Sequence, residues 1–162
     1  MLFHVSIEAD DPRRTAEVLA TLMGGQAAPF PPVAKGSWMA LVEDGRGTMI
    51  EVYPRGTALV PGAAGARGLA STPRRCNATH FAIGTKMDVD AVLAIAAAEH
   101  WPAAYFKRGG AFGVIEVWID DCQMIEVLTP QMQREYLDAM TIEKWRAMLD
   151  DRAFAKEMAQ AA

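Results

Sequence analysis

The chain alternates between a period of two and a period near four, and the order of alternation repeats. Residues 2–8 place apolar side chains at every second position and predict a strand. Asp10, Asp11 and Pro12 then supply a helix cap and a first-turn proline. Val18, Leu19, Leu22 and Met23 recur at helical spacing, and Gly24-Gly25 stops the helix. A Pro-rich stretch predicts a loop or short strand. After it, 37–43 and 48–53 flank Asp44-Gly45-Arg46-Gly47, a strong hairpin signal.

From residue 79 the same order returns. A strand at 79–84 precedes a helix capped by Asp88 or Asp90, carried by Val92, Leu93, Ile95 and Ala96, and ending near His100. A short strand at 103–107, a Gly109-Gly110 turn and a hairpin of 112–119 with 123–129 follow. The fold class is therefore α+β, with two tandem βαβββ modules at 2–54 and 79–129 inside one domain, 1–129. Residues 55–78 are rich in Gly and Pro, show little periodicity and predict a connector. From 130 to 162 the pattern turns helical through Met132, Tyr136, Leu137, Met140, Trp145, Met148, Leu149, Phe154 and Met158, an extension with no counterpart in the first half.

The duplication carries chemistry. His4 and Glu51 stand 47 residues apart, His80 and Glu126 stand 46 apart, and each glutamate sits in a Met-Ile-Glu-Val stretch. Only three histidines occur in 162 residues, so two of them opening equivalent strands is an informative coincidence. Two imidazoles and two carboxylates are the nitrogen and oxygen donors that hold a borderline divalent ion. Period-two alternation sets each of the four across its strand from large apolar side chains: His4 from Val5, Glu51 from Ile50 and Val52, His80 from Phe81, Glu126 from Ile125 and Val127. A lone histidine on a half-buried strand is ordinarily a solvated polar residue. Four such positions in a repeated frame point instead to metal.

Other residues are candidates by the same parity. Tyr53 and Trp38 could wall the site, against a plain packing role for strand aromatics. Glu116 and Trp118 share one face of 114–119, and a register change of one residue would invert that face. Arg67, Arg74, Arg75, Lys107 and Arg108 are placed to meet an anionic substrate tail or simply to be solvated. His100 reads as a charge at a helix C-terminus.

Composition narrows the partners. A net charge of −4 and a pI near 5.4 leave no concentrated basic surface for nucleic acid, and no apolar run reaches membrane-spanning length. The first residues lack the basic start and apolar run of a signal peptide, which predicts a cytoplasmic protein. Cys76 and Cys122 form no metal-ligand spacing and read as reduced bystanders, with Cys76 only four residues before His80.

Paired βαβββ modules with histidine on the first strand and glutamate on the last resemble the vicinal oxygen chelate superfamily, which includes glyoxalase I, methylmalonyl-CoA epimerase, extradiol dioxygenases and bleomycin-resistance proteins. The likeness covers residues 2–129. It implies a cup-shaped mixed sheet, with one divalent ion per site (Ni, Co, Mn, Zn or Fe) held by His4, Glu51, His80 and Glu126. It also implies a small-molecule substrate that chelates through adjacent oxygens, a lyase or isomerase reaction, and a homodimer that could build each site from one chain or two. Glu126 is the first candidate for the base and Glu51 the second. Because Glu51 is present, the pattern is closer to glyoxalase I and the epimerases than to the iron dioxygenases. The alternatives are a non-haem iron ring-cleaving dioxygenase and a metal-free protein that sequesters an antibiotic. Two departures stand out: Glu8 occupies the place where glyoxalase I carries an arginine for a glutathione carboxylate, and Asp120-Asp121-Cys122-Gln123 replaces an Asp-Pro-x-Gly turn.

Overall fold

A computed structural model describes residues 2–63 and 65–150, with side chains to 147. Phe154 and Met158 lie outside the described residues, as do the side chains of Met148 and Leu149. The first module runs β1 (His4–Ala9), α1 (Pro12–Met23), β2 (Gln26–Pro29), β3 (Trp38–Leu41) and β4 (Met49–Pro54), in the sheet order β1-β4-β3-β2. After β5 (Thr57–Val60) and β6 (Arg67–Ala70), the second module runs β7 (Phe81–Gly84), α2 (Val89–Ala98), β8 (Ala103–Arg108), β9 (Phe112–Ile119) and β10 (Gln123–Leu128), in the order β7-β10-β9-β8. The fold is α+β, as the two periodicities predict.

Register shows the repeat most directly. β1 pairs parallel with β4 so that Ser6 lies opposite Glu51, and β7 pairs parallel with β10 so that Ala82 lies opposite Glu126. The two glutamates thus occupy matching places in matching ladders.

Each helix packs on its own sheet because its apolar stripe matches the sheet's apolar face. α1 starts where Asp11 accepts from the Arg14 amide, at 3.0 Å, and ends at Gly24 in the left-handed region (φ 71°). It buries Val18, Leu19 and Leu22, while Ile7, Ile50 and Val52 are buried on the sheet. α2 is capped by Asp88 and buries Val92 and Ala96. All of these residues join Ile115, Val117, Ile125 and Val127 in one core.

Two ionic ties cross between modules. The Arg55 guanidinium, at the end of β4, reaches Asp10 after β1 and, at 2.7 Å, Asp120 in the β9–β10 turn. Arg14 of α1 grips Glu99 at the end of α2 through two hydrogen bonds. Asp120 and Asp121 both take positive φ, 53° and 56°, the geometry of a tight turn whose twist suits a hairpin.

Two expectations need correction. The connector is not featureless, because β5 and β6 pair as an antiparallel hairpin. The second module's first strand begins at Phe81, which leaves His80 outside the ladder.

Two further helices follow the second module. α3 (Pro130–Ala139) is capped by Thr129, with Pro130 at its first turn, and α4 is Ile142–Asp150. Gln133 donates to the carbonyls of Thr85 and Leu128, each at 2.9 Å, and Glu135 accepts from Lys107 and from the Gly113 amide. At Gly113 a Cβ would lie 2.7 Å from the Tyr105 ring and 3.2 Å from Met132, so a side chain there would displace the tyrosine.

Candidate functional site

The first module assembles its half of the predicted donor set. Glu51 is 7% exposed and one of its carboxylate oxygens takes both of its hydrogen bonds. Ser6 Oγ donates to its Oε2 at 2.9 Å, and the Tyr53 hydroxyl donates to the same oxygen. Its other oxygen faces His4 Nε2 at 4.0 Å. All four residues share one sheet face, because His4 and Ser6 are two apart on β1 while Glu51 and Tyr53 are two apart on β4. Burial and the bond to Glu51 hold the Tyr53 phenol well above its ordinary pKa, pushed up to about 12. Sequence reading did not find Ser6. Its place beside His4 on an alternating strand was the available signal.

The second module arranges its half differently. Glu126 lies directly opposite Glu116, so both carboxylates share a face. Arg108, from the end of β8, sits between them, 2.9 Å from Glu126 and in contact with Glu116. Its charge offsets the repulsion that two facing carboxylates would otherwise feel. These hydrogen bonds keep the guanidinium protonated beyond its usual range. His80 is exposed, with Nδ1 3.4 Å from the Ala78 carbonyl.

The structure therefore brings His4 to Glu51 and Glu116 to Glu126. Among the described residues, no three His, Cys, Asp or Glu side chains are grouped to hold a metal ion. The donor chemistry suits a divalent ion, but the described residues of one chain do not gather it.

The aromatic candidates separate. Tyr53 stands at the site. Trp38 lies opposite Val52, on the face away from Glu51, with the Arg13 guanidinium 5.3 Å from its ring centroid. The β3–β4 register, which sequence alone does not show, decides this. Trp118 shares the Glu116 face, opposite Met124, and is partly exposed. Cys76 is exposed, Cys122 is buried, and neither is bonded to another cysteine.

Two cavities of about 550 Å³ flank these half-sites. The first is mixed in character, lined by Ser6, Ile7, Glu8 and Tyr53 from the first sheet and by Leu59 and Arg74 from the former connector. The second lies beneath the C-terminal helices, where Phe112, Met140 and Trp145 surround Arg108 and Glu126. Among the described residues, no helix is long and apolar enough to cross a membrane.

No protein-family model matches the sequence. No curated protein matches it either. Solved structures do. Glyoxalase I from Leishmania major, described as trypanothione-dependent, aligns over 90% of this chain and 98% of its own, at 18% identity and a TM-score of 0.53. The fosfomycin resistance protein FosX from Listeria monocytogenes, solved with Mn(II) and sulfate, aligns over 85% of this chain and 96% of its own, at 13% identity and a TM-score of 0.54. Lactoylglutathione lyase from Agrobacterium tumefaciens aligns over 78% and 91%, at 14% identity and a TM-score of 0.51. The chain thus shares the fold of these glyoxalase I, lactoylglutathione lyase and FosX structures, and at these identities the likeness is one of fold.

Proposed function

We propose that the protein is a divalent-metal-dependent enzyme of the glyoxalase type, a lyase or isomerase whose small substrate presents adjacent oxygens. Its complete site forms where two copies meet, with His4 and Glu51 from one and His80 and Glu126 from the other. The observation that carries this proposal is the Glu51 carboxylate, buried, oriented by Ser6 and Tyr53, and facing the His4 imidazole. Such outer hydrogen bonds are how proteins aim carboxylate ligands. The fold neighbours support it, since one was solved with Mn(II), one is a glyoxalase I by name and one a lactoylglutathione lyase by name.

A bound ion would polarise the substrate's oxygens and acidify the neighbouring C–H. The chain's own part is to position that substrate and move the proton. Glu126 is the proposed base, with Arg108 holding it until substrate arrives, and Glu51 is the second candidate. Glu116 and Trp118, on the same face as Glu126, and Tyr53, beside Glu51, are proposed to wall the substrate. Trp38, on the opposite face, is proposed only to pack. A cytoplasmic location suits two unpaired thiols.

A second reading rests on Arg108. A guanidinium neutralising Glu126 and Glu116 is what a metal-free binding protein of this fold would use instead of an ion.

Elemental analysis of the full chain beside His4→Ala and His80→Ala tests the assignment, together with a screen of hemithioacetals, 2-substituted acyl thioesters and catechols. The expected result is about one divalent ion per chain, lost in both variants while their circular dichroism is unchanged. Absence of stoichiometric metal after loading would favour the metal-free binder. Ferrous iron with oxygen consumption would favour the ring-cleaving dioxygenase.

A further inference from the structure

The cavity lined by Ser6 and Tyr53 of the first module holds two charges that the described residues leave unpaired. Glu8, two residues beyond Ser6 on β1, and Arg74, from the segment after β6, both line it. Neither side chain has a hydrogen-bond or ion-pair partner among the described residues. The other charge in this cavity is spent, since Arg55 is engaged by Asp10 and Asp120. Gln123 is spent too, its amide donating to the carbonyls of Thr79 and Met124. The remaining lining mixes hydroxyl groups, which accept and donate without preference for charge, with the apolar Ile7, Ala58 and Leu59.

We propose that this cavity binds a zwitterionic small molecule, with its ammonium on Glu8 and its carboxylate on Arg74. An unpaired carboxylate and an unpaired guanidinium more than a salt-bridge length apart are complementary to a ligand that carries both charges at a distance. A dianion would meet Glu8 and a dication would meet Arg74, so each charge also excludes a wrong class. The space of about 550 Å³ is within the usual range for small-molecule sites and suits a ligand of dipeptide size. Because Ser6 and Tyr53 border both this cavity and Glu51, the inference names the substrate class of the site proposed above. It rests on that reading for the ligand's role in a reaction, and not for its binding.

The test is calorimetry on the full chain as purified, repeated after chelation with EDTA, against a panel of free dipeptides, each beside its N-acetyl and C-amide forms. Free dipeptides should saturate the protein, and capping either end should weaken binding by about tenfold or more, the size of a lost charge-assisted hydrogen bond. Glu8→Gln should abolish the penalty for N-acetylation alone, and Arg74→Gln the penalty for amidation alone. Arg74→Lys, which keeps the charge, should preserve the preference. Equal binding of capped and free forms, indifference of the preference to both substitutions, or no binding by any panel member at millimolar concentration would overturn the proposal. The EDTA arm separates the two readings, since dipeptide binding should survive chelation whether or not a metal site exists.

Discussion

Tyr53 and Glu51, two residues apart on β4, point to the same side of the sheet and share a hydrogen bond in which the phenol donates to the carboxylate. The contact orients the one buried glutamate of the first module and leaves its other oxygen toward His4.

That bond has a pH signature. Tyr53 holds its proton to about pH 12, so it contributes stability that is complete below the ordinary tyrosine pKa near 10 and is lost as pH rises through 12. Ultraviolet titration should show one tyrosine ionising about two pH units later than an exposed one. Tyr53→Phe should remove that late step and cost about 1–2 kcal/mol at pH 7 in urea unfolding. A variant of wild-type stability, with the late step still present, would contradict the contact.

Arg55 is 8% exposed in its side chain and ties the end of β1 to the β9–β10 turn. Arg55→Met should leave Asp10 and Asp120 with only the more exposed Arg75, 3.8 Å from Asp10, as a counter-charge and cost about 2–3 kcal/mol, measured by urea unfolding at pH 7. A change below about 0.5 kcal/mol would show that the tie does not hold the modules together.

Arg108 separates Glu116 from Glu126, which face each other across β9 and β10. With Arg108→Met, two carboxylates meet unscreened, so the variant should lose about 1 kcal/mol at pH 7, its part-exposed side chain limiting the effect. The deficit should shrink as added salt screens the two carboxylates. A deficit independent of salt would place the role of Arg108 in packing.

Asp44 accepts from the Thr48 hydroxyl and from the Arg46 and Thr48 amides, and its carboxyl is held down at about 2. The contribution of this turn is therefore complete above pH 4 and is lost as pH falls from about 4 toward 2. The stability gap between wild type and Asp44→Ala should stay level above pH 4 and narrow below it. NMR titration of Asp44 with a midpoint near 4 would contradict the turn geometry.

Much of this was legible in the chain because alternation and duplication are sequence properties. Apolar periodicity placed both modules, and the spacing of Glu51 and Glu126 marked matching ladder positions, whereas His80 falls outside the ladder that His4 opens in the first module. The Thr57–Val60 and Arg67–Ala70 hairpin was not legible, since four-residue strands among glycines and prolines leave no period to read. Trp38 was assigned by parity along one strand, yet facing also depends on which residue lies opposite, and Val52 does. The Arg108 bridge joins residues 8 and 18 apart through a hairpin register and a long side chain, neither of which a linear pattern fixes. Ser6 could have been found, because it shares the parity of His4.

The central claim, a metal site shared between two copies, is tested most directly by mixing His4→Ala with His80→Ala after unfolding and refolding them together. Each variant alone should bind no stoichiometric divalent ion. In a mixed dimer one of the two cross-chain sites regains all four ligands, so the mixture should recover about one ion per four chains, with light scattering showing dimers throughout. Metal content in the mixture no higher than in the separate variants would contradict the shared site.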